Sequence, residues 1–333
     1  MSYLYVTEYG ARIYLEANCV KVAERETECR SIPVETLECI RILNGVQITT
    51  QCLVECMKRG IPISYYSASG SYYGRTEAAH GVCAARQRKQ AKLYNTKFAL
   101  ELGREILRAK VKNQEVLLRR YARDKQKDLS EEIKMMKIFY GKIPKSASYT
   151  QMMGYEGGAA KYYFQGLAKV IDARFAFSGR SRRPPRDAFN AMLSFGYSIL
   201  LNEICGVLES KGLNTCFGFI HRDKEGHPTL ASDLMEEWRA VLVDAVALSL
   251  VNGHEIYPEH FYQEKDTSGY YLTKEGLRIF INKLEKKRRT KMKYLSYTDA
   301  PVSFRRAMEM QAGRLVKAIE QEDAGLYLPV HIR

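Results

Sequence analysis

The spacing of apolar positions changes part of the way along the chain. Up to about residue 85 they fall in short runs, "YLYVTEYG", "ARIYLEANCVKVAE", "ECRSIPVE", "LECIRILNG" and "GIPISYYS". These runs are rich in Val, Ile and Tyr, are punctuated by Gly, Asn and Pro, and read as strands. Between the last two lies "TTQCLVECMKRG". A Thr at its start, apolar residues at helical spacing and a closing Gly60 predict one helix there.

From residue 86 the period becomes helical. "RQRKQAKLYNTKFALELGREILRAKVKNQEVLLRRYARD" is long, helical and basic. Helices are expected after it near 113–125, 129–141, 155–171, 187–211, 229–250, 274–293 and 300–322. The pattern predicts an α+β chain of two domains. Residues 1–85 form a β-rich, β-sandwich-like domain, and residues 86–333 a larger all-α domain, with the boundary in 78–90. The clearest break inside the second domain is "SGRSRRPPRD", residues 178–187. Pro184 and Pro185 stop a helix before it, and Asp187 can cap the next.

With 333 residues, 46% of them apolar, the chain can bury real cores, which excludes a disordered protein. Lys and Arg number 52 against 38 acids, a net charge of +14. A field of that sign favours polyanions, nucleic acid ahead of an anionic membrane. No apolar run reaches the length of a membrane span, and "MSYLYVTEYG" lacks the pattern of a signal peptide. The eight cysteines are scattered without a CxxC pair, and Cys52 and Cys56, four apart in the predicted helix, suit packing. All eight read as reduced thiols of a cytoplasmic protein.

The candidate chemistry sits in "GFIHRDKEGHPTLASDLMEEWR", residues 218–239. His221 ends a β-like "GFI", and an acid-studded apolar run follows. At 100° per residue, Leu234, Trp238, Val241, Ala245 and Leu248 form one core-facing stripe. Asp233, Glu236 and Glu237 lie together on its flank. Side-by-side carboxylates repel, so either they are solvated in the first helical turn, where they complement the dipole, or a cation sits among them. His221 has the same ambiguity between packing and ligation. In "MGYEGGAAKYYFQGL", residues 153–167, Glu156 opens a predicted helix and small residues follow it. Those small residues can admit a ligand or a neighbouring helix.

Four segments in order, "EGGAAKYYF", "RRPPRDAFNAMLSFGYSILLNE", "GLNTCFGFIH" and "LASDLMEEWR", resemble the CRISPR-associated endonuclease and integrase family of spacer acquisition. The strand-then-helix order fits as well, so the resemblance covers essentially the whole chain. It implies that Glu156, His221 and Glu236 ligate a metal, with Asp233 as a supporting or alternate ligand. Trp238 stands where the family usually has Phe. Two carboxylates and one imidazole suit Mg²⁺ or Mn²⁺. The implied reaction is attack of a prespacer 3′-hydroxyl on a phosphodiester of the CRISPR repeat, or DNA cleavage when water attacks. No Ser-His-Asp or Cys-His arrangement supplies a side-chain nucleophile. The resemblance also implies a homodimer, with a small second adaptation protein bridging two dimers into a heterohexamer. Arg180, Arg182, Arg183 and Arg186, and the run Lys286, Lys287, Arg288, Arg289, Lys291 and Lys293, are candidates to neutralise phosphates without reading bases. A metal-dependent nuclease of branched DNA or RNA that never integrates would share these ligands. A non-enzymatic DNA-binding scaffold would carry the acids only structurally.

Overall fold

The computed structural model describes all residues except Met1, Glu26, Ser69, Ser71, 77–82, Asp266, Thr267, Tyr294, Ser296 and Arg333. The chain divides into two units, residues 1–80 and 81–333. The break between them falls in 77–82, outside the described residues.

In the first unit, the short apolar runs form two four-stranded sheets. One contains β1 (Ser2–Val6), β5 (Leu37–Leu43), β7 (Ile63–Tyr66) and β8 (Tyr72–Thr76) in that order. The other runs β4 (Thr27–Pro33), β3 (Cys19–Glu24), β2 (Arg12–Glu16) and β6 (Gln47–Ile48). The second sheet is a meander of antiparallel neighbours with a parallel edge at β6. In the first sheet, β1, β5 and β7 are parallel. A parallel neighbour cannot be reached by a tight turn, and α1 (Thr50–Lys58) lies in the connection from β5 to β7. Thr49 caps it by accepting from the Cys52 N–H. Leu4, Ile13, Val20, Ile40 and Ile63 meet Cys52 and Cys56 in one core, so these two thiols are packing groups. All eight cysteines are free.

The second unit is built on helices: α2 (Ala84–Lys92), α3 (Lys97–Asp124), α4 (Ser130–Lys142), α5 (Tyr149–Val170), α6 (Ala188–Ser210), α7 (Thr229–Met235), α8 (Ala245–Asn252), α9 (Lys274–Arg289) and α10 (Phe304–Gln321). It is not wholly helical. Phe261–Gln263 pairs with Tyr270–Leu272, and Lys291–Met292 with Val302–Ser303, as short antiparallel ribbons. The first ribbon braces the 178–187 loop through the Tyr270 N–H, which donates to the Pro185 carbonyl at 2.9 Å.

Two sequence expectations need correction. The 23-residue α6 is long and apolar enough to cross a membrane, although no such run was expected. Its apolar window is 67% buried within the unit, which is how a helix apolar all round behaves at the centre of a helical core. The single helix expected over 229–250 is broken. After α7 the chain makes a tight turn at 236–238, then a π-helical stretch over Arg239–Asp244, and only then α8. That irregular stretch carries the site.

Candidate functional site

Three helical segments and one loop converge here. Gly103 of α3 is closely covered by side chains. A Cβ there would lie 2.9 Å from the Met152 methyl of α5 and 3.3 Å from Ile220. α3 therefore lies hard against both α5 and the chain leading into His221. Two turns further along α3, Lys110 reaches the same region. Its ammonium lies 2.5 Å from Glu156 Oε1 and 2.6 Å from Glu236 Oε2.

Glu156 is not at a helix start. Ser148 caps α5 by accepting from the Gln151 N–H at 3.2 Å, so the helix begins earlier and Glu156 lies two turns inside it. Favourable interaction with the helix N-terminus does not explain this acid, because that effect fades within one turn. Gly158 admits the Phe139 ring of α4, which a Cβ would meet at 2.5 Å, whereas Gly157 faces open space.

The "GFI" before His221 is not a strand. Asp233, fully buried on α7, gathers the loop. It accepts from the N–H groups of Phe219 at 2.5 Å, Ile220 at 2.9 Å and His221 at 2.9 Å. It also bonds the His221 Nδ1 at 2.7 Å. With Nδ1–H donated to Asp233, a neutral His221 presents the Nε2 lone pair. Nε2 faces Glu236 Oε1 at 3.7 Å, too far for a hydrogen bond. Burial alone would push the imidazole pKa down, but the Asp233 bond and the nearby Glu236 charge hold it above its ordinary value.

Glu236 is only 5% exposed. Burial would raise its pKa, but Arg239, Lys110 and His221 outweigh it and hold the carboxyl well below the usual range. Arg239 Nε lies 3.1 Å from Glu236 Oε2, and its guanidinium stacks 4.5 Å from the Tyr197 ring centre. Tyr197 and Tyr163 both donate to the buried Asp244, at 2.5 and 2.6 Å, and so anchor that ring. Lys110 thus joins Glu156 to one oxygen of Glu236, and His221 faces the other. Among the described residues, no three His, Cys, Asp or Glu side chains meet around a common point at ligand distance.

The reading of Asp233, Glu236 and Glu237 as one solvated flank is overturned: all three are buried, and while Asp233 and Glu236 both face His221, Glu237 does not join them. The turn at 236–238 sends Glu237 away from Glu236, towards the end of the chain. Glu237 accepts from the Tyr327 hydroxyl at 2.5 Å and the Val330 N–H at 2.6 Å. Burial pushes its pKa up to about 8 against those bonds. The unfolded chain loses this proton near its ordinary value of about 4.3. Glu237 therefore favours the fold below that pH, and the contribution is lost as pH rises through about 8. Melting temperatures should decline from pH 5 to 8.5, and Glu237→Gln, which cannot ionise, should flatten that decline.

The basic candidates separate into two kinds. Arg182, Arg183 and Arg186 are exposed. Arg180 instead braces the loop, donating to Asn190 Oδ1 at 2.8 Å and Ser194 Oγ at 3.1 Å. Asp187 caps α6 through the Asn190 N–H at 2.7 Å. Within the second run, Lys286 and Arg289 are exposed, and Lys287 lies over the Phe304 ring. Arg288 is 1% exposed and pairs with Glu203 and with Glu285, the latter at 2.6 Å. Arg305 bridges the same two acids at 3.2 and 2.6 Å. Arg288 is therefore a structural ion pair and is corrected as a phosphate contact. Lys110 and Arg239 were not singled out in the sequence. Arg239 carried a legible signal, three residues after Glu236. Lys110 carried none, one lysine among many in a basic helix.

The chain is thus a strand-rich unit followed by a helical unit that carries this acid–histidine cluster. A family model described as CRISPR associated protein Cas1 matches residues 4–286, and the chain belongs to that family. It is 35% identical over 321 residues to the CRISPR-associated endonuclease Cas1 of Mycobacterium tuberculosis, covering 96% of this chain and 94% of that protein. It is 30% identical to a CRISPR-associated endonuclease Cas1 of Thermus thermophilus, covering 99% of each. Among solved structures it is similar to the Cas1 protein of Thermotoga maritima, with TM-score 0.82, 24% identity, and 96% and 97% coverage of the two chains. It also resembles a chain of a Cas6-RT-Cas1–Cas2 complex, with TM-score 0.83 and 25% identity, covering 98% of this chain but 36% of that one. A casposase bound to integration product shares the fold, with TM-score 0.85, 19% identity, and 97% and 92% coverage.

Proposed function

We propose that the protein is a Mg²⁺- or Mn²⁺-dependent DNA endonuclease and integrase of CRISPR adaptation. The 3′-hydroxyl of a prespacer strand attacks a repeat phosphodiester, its new P–O bond forming as the bond from phosphorus to the repeat's own 3′ oxygen breaks and leaves as a 3′-hydroxyl, and DNA is cut when water replaces the attacking hydroxyl. The observation that supports this reading is Glu236, which shares the Lys110 ammonium with Glu156 through one oxygen and faces His221 Nε2 with the other. The donor set fits a divalent ion. It offers hard carboxylate oxygens and one imidazole nitrogen, and the region is already built to hold a cation. Glu156, His221 and Glu236 would hold the ion, which when bound supplies charge stabilisation at the phosphodiester and orients the attacking oxygen.

The chain's own residues do the rest. Asp233 holds the His221 ring by Nδ1, so that Nε2 faces the centre. Arg239, stacked on Tyr197, keeps the Glu236 carboxylate from turning away. Burial of Glu236 keeps bulk water from competing at that carboxylate. Arg182, Arg183 and Arg186, with Lys287 and Arg289, grip phosphates. The assembly proposed is a homodimer, two of which a small second adaptation protein bridges into a heterohexamer. Two identical sites would then serve the two ends of one spacer.

A strand-joining assay on a repeat-containing plasmid, with Mn²⁺, a short duplex carrying 3′-hydroxyl ends and the partner protein, tests the reading. Covalently joined product is expected. Cutting without joining would leave a nuclease of branched DNA or RNA, and neither activity would leave a DNA-binding scaffold. Binding has its own signature. Reversing Arg182 and Arg183 to Glu should weaken binding by a similar factor for unrelated DNA sequences. The slope of log affinity against log salt should flatten by about 0.9 for each phosphate no longer neutralised.

A further inference from the structure

Lys110 carries the positive charge at the centre, and its placement has a consequence for the metal. Its side chain is 11% exposed, and those of the two acids it joins, Glu156 and Glu236, are 14% and 5% exposed. Two buried carboxylates aimed at one point repel strongly unless a cation lies between them. The ammonium supplies it, at 2.5 and 2.6 Å. A divalent ion held by the same oxygens would sit about 2.0–2.3 Å from each, within the space the ammonium fills. Ammonium and metal ion cannot occupy that space together.

Of the two cations on Glu236, only one is suited to leave. Arg239 is a planar guanidinium pinned on the Tyr197 ring. Lys110 is a point charge on a flexible four-carbon stem.

We infer that Lys110 is a resident stand-in for the metal. It neutralises Glu156 and Glu236 in the metal-free protein and is displaced when a divalent ion binds. Lys110 is in this sense a positioning residue. It keeps the two carboxylates aimed at one point before metal arrives, and it weakens metal binding by the free energy of its own displacement. The inference rests on reading Glu156 and Glu236 as metal ligands.

The test compares full-length wild type, Lys110→Met and Lys110→Arg, each freed of metal with a chelator. Mn²⁺ affinity is read by the electron paramagnetic resonance of the free ion and by calorimetry, and melting temperature is read with and without Mn²⁺. Lys110→Met keeps the length and removes the charge. It should bind Mn²⁺ at least about tenfold more tightly, because a buried like charge has been removed. It should melt below wild type in chelator, and gain more from Mn²⁺ than wild type does. Lys110→Arg, whose fork pairs two oxygens at once, should bind Mn²⁺ more weakly than wild type. That arm stands even if the Met variant does not fold. Equal or weaker Mn²⁺ binding by Lys110→Met would overturn the inference. So would equal or tighter binding by Lys110→Arg, or a Met variant as stable in chelator as wild type. If wild type binds Mn²⁺ but the variants do not differ from it, only the stand-in role fails. If neither wild type nor Lys110→Met binds Mn²⁺ at millimolar concentration, the ligand reading fails with it.

Discussion

Replacing Glu236 by Ala is expected to reduce DNA cutting and strand joining to background, a loss of about 10³-fold or more, since electrostatic stabilisation at the reacting centre is lost. The binding of DNA should persist. Glu236 is 5% exposed and lies against Lys110, Arg239 and the Nε2 edge of His221, so its loss removes a group that all three share. Glu156→Ala and His221→Ala should behave alike, because each empties one corner of the centre while Arg182, Arg183 and Arg186 remain exposed. Loss of a carboxylate near phosphate should, if anything, tighten DNA binding slightly through reduced repulsion. Binding and strand joining are to be measured on the same preparations, with circular dichroism to show that the proteins are folded. A folded His221→Ala protein that still joins a prespacer 3′-hydroxyl to repeat DNA at the wild-type rate would sink the proposed mechanism.

The second large effect is expected on stability. Asp233→Ala deprives the amides of Phe219, Ile220 and His221 of their acceptor, the first two of them at buried residues. A buried donor left unpaired costs about 1–3 kcal/mol, so the two buried amides should cost the variant about 2–6 kcal/mol and lower its melting temperature by roughly 10 °C. Asp233→Asn keeps the shape and an acceptor oxygen. It should stay folded and lose joining activity by only about 10–100-fold, the scale of a group that orients a ligand. An Asn variant as inactive as Glu236→Ala would mean that Asp233 itself holds the cation. An Ala variant with wild-type melting would mean that the three amides find another acceptor.

The ion pairs show how local the legible information was. Arg288 reads as one more cation in "KLEKKRRTKMK", and its neighbours Lys286 and Arg289 are indeed exposed. What distinguishes it is Glu203 on α6 and Arg305 on α10, brought beside it by packing. Charge along a sequence gives the sign of a field. Which charges solvent can reach depends on partners far away in the chain.

The apolar period by itself determined the order of architecture, strands and then helices, because burial of one face imposes a repeat of about two on strands and 3.6 on helices. Residue type gave a Thr cap for α1, which the structure finds at Thr49, and the cap at Asp187, because the partners of both lie within one turn. Short-range rules failed at 218–239. A helical wheel set Asp233, Glu236 and Glu237 on one flank, but the turn at 236–238 and the π-helical stretch after it break the 100° step on which the wheel depends. Asp233 became the acceptor for a loop, Glu236 a wall of the centre, and Glu237 a buried anchor for Tyr327 and Val330. Only the tertiary structure could decide this. The partners of those acids are 12, 126 and about 90 residues away in sequence, and a buried carboxylate goes where an opposing charge or donor is found. Lys110 is the clearest case. Nothing near it in the chain separates it from Lys112, and only the packing of α3 against α5 places its ammonium between two acids.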